Sequence, residues 1–521
     1  MRGAVAAGHP LTAEAGARIL SEGGNAVDAC IAAGFVSWVT ESPLTGPGAG
    51  GFMLVHRGRD GSDRLLDFFV SIPGRGLSEH DGASMVEVLV PFDAKRLQLF
   101  RIGAASCAVP GMVAGLGEAH RLYARLPWRE LVVPAVEVAR AGVKLNRQQA
   151  FLHRILDAAL RANEEGCRIY GRERPLAEGE TLSMADLAET LEQLAAEGPE
   201  VFYTGDLARR IASAVRDQGG RLTETDLDAY RVVRRRPVRA AFAGHEFVSN
   251  PPPSSGGLLI GFALRVLDAV GLGGPAGSTD AVQTLAEVMR EATNARGGGF
   301  VRSLYRGGLA ERLLADERIE AAAQAVRSVC RDPARETAGV PSTTHISAVD
   351  AAGNAASFSA STGCGSGVLV PGTGIHLNNM LGEIDLNPNQ KTAAPGQRLT
   401  SMMAPSLVLR RGRPRLVVGS AGSIRLRAAI LQFVVNVVGH GLSVKEAISA
   451  PRVHLDGETL QVEGGFAPAV SRELERRGYD VARWRSRNLY FGGASAVGLG
   501  EDGSLEAAGD PRRGGAGVVV R

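Results

Sequence analysis

The segment that most restricts the fold is residues 343–361. A run of β character over 343–348, a polar turn over 350–354 and a second run over 355–361 read as a hairpin that begins at Thr343. Threonine, isoleucine, valine and phenylalanine suit a pleated, half-buried surface. Further strands are predicted at 406–410 and 415–419, and an apolar helix at 427–438, so the second part of the chain has a sheet-plus-helix layout.

The first part alternates helical and strand signals. Apolar periodicity over residues 11–39 is broken by Gly23-Gly24-Asn25, which predicts two helices joined by a turn. Residues 52–55 and 64–69 read as short strands around a hairpin loop containing Gly58, Asp60 and Gly61. The middle, 112–245, is rich in helix formers. Residues 251–257, Pro-Pro-Pro-Ser-Ser-Gly-Gly, are expected to form an ordered loop or a linker, because proline removes amide donors and the glycines favour turns.

Charge excludes one class of function. The chain carries 58 basic and 55 acidic residues, so its formal net charge of +3 is a small difference between large totals. Short basic runs such as Arg234-Arg235-Arg236 have no accompanying aromatic platform, and no nucleic-acid partner is expected. Cys30, Cys107, Cys167, Cys330 and Cys364 are scattered without CxxC or a paired histidine spacing, which predicts neither a disulfide framework nor a metal site. No stretch reaches the ~18 apolar residues of a membrane span. The start runs into His9-Pro10 before a signal-peptide core forms, so a cytoplasmic protein without a membrane partner is expected. Gly46, Gly48 and Gly51 satisfy G-x-G-x-x-G. The preceding Glu41-Ser42-Pro43 is turn-like and the following segment is a strand, the reverse of a dinucleotide site.

A threonine hydroxyl is a weak nucleophile. At the first position of a chain it lies beside a free α-amine that can act as its base, and self-cleavage creates such a chain. Taken alone, Thr343-Thr344-His345 reads as an ordinary strand start; the motifs around it change that reading. Gly23-Gly24-Asn25-Ala26-Val27-Asp28-Ala29, Gly48-Ala49-Gly50-Gly51-Phe52, Val109-Pro110-Gly111, Pro134-Ala135, Pro252-Pro253-Ser254-Ser255-Gly256-Gly257, Thr343-Thr344-His345, Gly372-Thr373-Gly374, Leu377-Asn378-Asn379 and Asp510-Pro511-Arg512 follow one another along the chain. In that order they make nearly the whole sequence similar to the γ-glutamyltranspeptidase family.

The resemblance implies an α+β fold, the four-layer αββα sandwich of N-terminal nucleophile hydrolases. It also implies autoproteolysis between Ser342 and Thr343, giving a large subunit, 1–342, and a small one, 343–521. Carried over by position, Thr343 is the nucleophile and Ser361, eighteen residues later, supplies the assisting hydroxyl. Thr400 and Ser401 align with paired serines that contact the substrate carboxylate, and Gly422 and Ser423 with the pair whose amides form the oxyanion hole. No cofactor and no metal is implied; the partners are a small-molecule substrate and the two subunits of one precursor.

Recognition of a glutamyl group departs from the family's pattern. Phe69 stands where an arginine grips the α-carboxylate, and it offers neither charge nor hydrogen bond. Gly363 replaces an asparagine, and Met380 and Glu383 replace the residues that bind the glutamyl amine. Losing one charge-assisted contact costs ~1.5–3 kcal/mol, or ~10- to 100-fold in affinity. These changes predict an autoprocessed enzyme that cleaves an amide-type or activated carbonyl bond of a substrate other than glutathione. Two alternatives are a homologue that breaks a carbon–carbon bond in a bacterial natural-product pathway, and a non-catalytic scaffold.

Overall fold

A computed structural model describes residues 2–78, 84–91, 97–328, 343–383, 394–422 and 425–521. The strands of its two large sheets are, in chain order, β1 (Gly3–Ala7), β2 (Gly50–Arg57), β3 (Ser62–Phe68), β4 (Val233–Arg235), β5 (Val238–Phe242), β6 (His245–Ser249), β7 (Thr344–Asp350), β8 (Ala355–Ser361), β9 (Ser406–Arg410), β10 (Arg413–Ala421), β11 (Gly493–Leu499), β12 (Leu505–Gly509) and β13 (Ala516–Val520). One sheet has the order β13-β1-β7-β8-β2-β3-β4 and the other β12-β11-β10-β9-β6-β5, with antiparallel neighbours throughout. The sheets stack face to face, with β7 and β8 against β10 and β11.

Helices close both outer faces. The first sheet is covered by α1 (Pro10–Ser21), α2 (Ala26–Thr40) and α3 (Met112–Tyr123), the second by α4 (Gly256–Val270) and α5 (Arg425–Val434). The result is the expected αββα sandwich. A strand covered on both faces cannot alternate between apolar and polar, and β8, Ala-Ala-Ser-Phe-Ser-Ala-Ser, is buried along its whole length with small residues that let the layers approach. The period of two still sorts the faces. Phe68 and Phe358 stack in the core under the helices, with ring centroids 6.0 Å apart, whereas Phe69 and Phe52 stack at 5.5 Å in the cluster that includes the space between the sheets.

The Gly-Gly-Asn break behaves as expected. Asn25 caps α2 by accepting from the amides of Val27 and Asp28, at 2.8 and 3.0 Å, and Asp28 returns the bond to the Asn25 amide at 2.8 Å. All fifteen residues of α2 are buried, as a helix apolar on every side must be. Several boundaries differ from the sequence reading. Strand β3 ends at Phe68, because the Phe69 amide donates to the Asp67 carboxylate at 3.0 Å instead of joining the ladder. Gly256 and Gly257, expected in a loop, open α4, since the apolar run that follows carries the helix start back to them. The helix expected at 427–438 is α5, starting at Arg425 and ending at Val434, and a wider turn, Val435–Gly439, succeeds it.

Candidate active site

Adjacent strands β7 and β8 end together. Thr344 faces Ala360 in their register, so one step further along the chain sets Thr343 opposite Ser361. Alternation puts Thr343, His345 and Ser347 on the face toward the second sheet, and Thr344 on the face toward α2. His345 fills the gap between the sheets: its Nδ1 pairs with Ser359 Oγ at 2.7 Å and its Nε2 with Ser347 Oγ at 3.0 Å. Burial pushes this imidazole down to about 3, so it is neutral, with both nitrogens engaged in bracing the strands. A Cβ on Gly419 of β10 would lie 2.3 Å from the His345 ring, so only glycine admits this contact. Beyond Gly419, β10 runs out through Ala421 into Gly422, whose φ of 139° suits glycine.

Thr343 itself is 4% exposed. Its carbonyl accepts from Arg513 Nη1 at 2.8 Å. The Arg513 side chain packs on Gly493, the strand partner of Ala421, and so ties the start of β7 to the strand end that carries Gly422. Arg513 is held in turn by the Asp510-Pro511-Arg512 segment. There Arg512 Nε donates to Glu463 Oε1 at 2.7 Å and Arg452 Nη2 lies 2.7 Å from Asp510 Oδ2, all four side chains being buried. Removing one partner from such a buried network costs ~3–5 kcal/mol, because the remaining charge stays uncompensated.

The glycine-rich segment 46–51 serves backbone contact. A Cβ on Gly51 would meet the Ser359 carbonyl at 2.4 Å, and Asn378 Nδ2 donates to the Gly48 and Ala108 carbonyls at 2.8 and 3.0 Å. Motifs far apart in sequence therefore meet beside Thr343 and Ser361. Ser361 Oγ accepts from the Gly363 amide at 2.9 Å, and Asn379 Oδ1 from the Cys364 amide at 2.9 Å. Glu383 reaches the same loop: a Cβ on Gly363 would be 3.1 Å from its Oε1. Burial first, and the Glu383 charge second, push the Cys364 thiol up.

The remaining candidates pack around the end of β3. Phe69, Met380 and Leu399 belong to one apolar cluster, and the Leu399 amide donates to the Val70 carbonyl at 3.1 Å, which sets Thr400 beside the end of β3. Phe69 is fully buried, so no charge occupies its place. Ser401 Oγ accepts from the Met403 amide at 3.0 Å, while the Ser401 carbonyl accepts from Ser254 Oγ at 2.9 Å and the Ser255 amide at 2.8 Å. Its hydroxyl oxygen thus braces the local turn and keeps its own proton to donate. Ser342 and Ser423 lie outside the described residues.

Sequence reasoning missed Arg398, next to Thr400. Its guanidinium donates to the Phe69 carbonyl and to Tyr230 Oη, lies 4.8 Å over the Tyr230 ring and sits 3.4 Å from Asp67 Oδ1. The signal was the arginine beside a threonine–serine pair; its engagement by Asp67 and Tyr230 is a long-range fact. Arg425 is buried with its guanidinium 4.2 Å over the Tyr490 ring.

Comparison with known proteins agrees with this geometry. The γ-glutamyltranspeptidase family matches residues 12–520. An acylase ACY 1 proenzyme from a Pseudomonas species is 32% identical over 532 residues, covering 100% of this chain and 94% of its own. The glutathione hydrolase proenzyme of Escherichia coli is 32% identical over 537 residues, covering 98% and 90%. Among solved structures, cephalosporin acylase from Bacillus halodurans superposes with a TM-score of 0.84 at 26% identity, over 99% of this chain and 95% of the other.

Proposed function

The chain belongs to the γ-glutamyltranspeptidase family of N-terminal nucleophile hydrolases, and on that premise we propose that it cleaves itself before Thr343 and then uses Thr343 to hydrolyse an amide-type bond of a substrate other than glutathione. The observation that carries this reading is the register that sets Thr343 opposite Ser361 at the end of two central strands, beside the strand end leading to Gly422.

In self-cleavage the Thr343 hydroxyl attacks the Ser342 carbonyl carbon. The acyl group moves from nitrogen to oxygen, and water hydrolyses the ester, leaving Ser342 as a carboxylate and Thr343 with a free amine. Each sheet contains strands from both sides of residue 343, which would keep segments 1–342 and 343–521 together after the cut. In turnover the α-amine takes the hydroxyl proton as oxygen attacks the substrate carbonyl. The amides of Gly422 and Ser423 stabilise the oxyanion, the leaving amine departs with the proton, and water releases the acid.

Substrate choice follows from the residues around the end of β3. Phe69, Met380 and Leu399 are buried apolar side chains, Phe69 at the position where a glutamyl α-carboxylate would need a cation, and Arg398 is engaged by Asp67 and Tyr230. An acyl group with an apolar body fits this cluster better than γ-glutamyl. Acylases among the relatives support the same direction. No feature of the site favours carbon–carbon cleavage over this reading.

The test is to trap the acyl-enzyme with an activated ester and to map the adduct by mass spectrometry. An acyl group on the peptide that begins with Thr343 is expected. An adduct elsewhere, or amide turnover that survives Thr343→Ala, would overturn the reading.

A further inference from the structure

Beside Thr343 lie a buried acid, on the helix side of the sheet, and a buried base that the chemistry above leaves unused. Glu41 follows the last turn of α2, and Thr344 Oγ1 donates to its Oε2 at 2.8 Å. Arg513 donates to the Thr343 carbonyl at 2.8 Å. Each side chain is 5% exposed. Both seats are walled by glycine: a Cβ on Gly8 would be 2.3 Å from Glu41 Oε2, and one on Gly493 would be 2.4 Å from Arg513 Cδ. Among the described residues, Glu41 Oε1 and the Nε and Nη2 of Arg513 have no hydrogen-bond partner. An ionisable pair kept in the core with unspent hydrogen-bonding capacity is costly, and such groups concentrate where they act.

We propose that Glu41, acting through Thr344 and Arg513, is the positioning residue that fixes the Thr343 main chain for self-cleavage and turnover. Glu41 lies in segment 1–342, whereas Thr343, Thr344 and Arg513 all lie in 343–521. The same contacts therefore seat the new N-terminus on the other segment after the cut. This role rests on Thr343 being the nucleophile.

The surroundings give the role a pH signature. Burial raises Glu41 to about 7, against the opposing pull of the Thr344 hydrogen bond and the Arg513 charge, and lowers Arg513 to about 10. Facing groups are Thr12 of α1, Thr344 of β7, and Arg513 with Asp510 from the C-terminal turn. Tyr170 lies beside the neighbouring Ser42. Between about 7 and about 10 both members are charged; below that window Glu41 takes a proton and no longer balances Arg513. In the uncut precursor the Thr343 nitrogen is an amide and does not titrate, so an acid limb near neutrality in self-cleavage reports Glu41.

The experiment follows cleavage of freshly synthesised precursor across pH 5.5–9 for wild type, Glu41→Gln, Thr344→Val and Thr344→Ser, with Tm measured on each. Wild-type cleavage is expected to rise toward a plateau above neutral pH. Glu41→Gln should be at least ~10-fold slower on the plateau and lose the acid limb, the factor that one lost hydrogen bond to a charged group supports. Thr344→Val should be slow, and Thr344→Ser, which keeps the hydroxyl, should recover. Cleavage of Glu41→Gln along the wild-type pH curve would overturn the positioning role alone. A wild-type chain that stays whole at every pH would overturn the nucleophile reading and this role with it.

Discussion

Thr343 and Ser361 sit across from each other, one residue beyond the Thr344–Ala360 pair that ends the β7–β8 register. Ser361 Oγ also accepts from the Gly363 amide at 2.9 Å, which fixes where the hydroxyl stands. Ser361→Ala is therefore expected to slow self-cleavage and turnover by ~10- to 100-fold, the equivalent of about 1.4–2.8 kcal/mol of barrier, with Ser361→Thr closer to wild type. Single-turnover cleavage rates of the two variants check this; equal rates for Ser361→Ala and wild type would remove Ser361 from the machinery.

The apolar cluster makes a selectivity prediction. Phe69→Arg brings a guanidinium to the position that Phe69 fills against Phe52. Turnover of a γ-glutamyl anilide relative to a phenylacetyl anilide should rise by ~10- to 100-fold, the worth of one charge-assisted contact. The lost ring stacking should lower stability by ~0.5–1.5 kcal/mol beyond the area effect. Efficient γ-glutamyl turnover by the wild type would contradict the cluster's role.

Gly419 offers a packing test remote from any reacting atom. An added methyl would lie 2.3 Å from the His345 ring, and neither sheet can retreat without moving β7. Gly419→Ala should cost ~1–3 kcal/mol in urea unfolding and slow self-cleavage as well. An unchanged unfolding midpoint would show that the sheets are less tightly coupled at His345 than the contact implies.

Acid should destabilise the fold through buried histidines. Burial lowers His9, His153 and His376 to about 4 and His345 to about 3, all below the ordinary 6.5. A histidine with a depressed folded value contributes stability that is present above 6.5 and lost as pH falls below it, because only the unfolded chain takes the proton. Glu41, raised to about 7, acts in the opposite sense between its ordinary 4.5 and 7. Four protons against one leave a net uptake of about three on unfolding near pH 5.5, or at most about 4 kcal/mol per pH unit from these groups. Tm measured from pH 7.5 to 5 should fall steeply below 6.5; a flat profile would mean that these imidazoles are solvated.

Local patterns announced the hairpin from Thr343, the Asn25 turn and the strands around it, because alternation, capping and turn chemistry are written in neighbouring residues. The collinear motifs named Thr343, Ser361 and Gly422, and the fold places all three at one end of the stacked sheets. Thr400 follows Leu399, whose amide pairs with the Val70 carbonyl, and Glu383 approaches Gly363. What was illegible depends on distant pairings. Glu41 meets Thr344 across 303 positions and Arg513 meets Thr343 across 170, and nothing in Glu41-Ser42-Pro43 or Asp510-Pro511-Arg512-Arg513 marks either as a neighbour of the nucleophile. Arg398 was passed over for the same reason, since its contacts with Asp67 and Tyr230 are distant in sequence.

The most direct test of the central claim is the intact mass of the purified chain beside Thr343→Ala. Two polypeptides are expected for the wild type, residues 1–342 and 343–521, held together until denatured, and a single uncut chain for Thr343→Ala. A wild type of one mass, or a Thr343→Ala variant that is cut at the same bond, would contradict it.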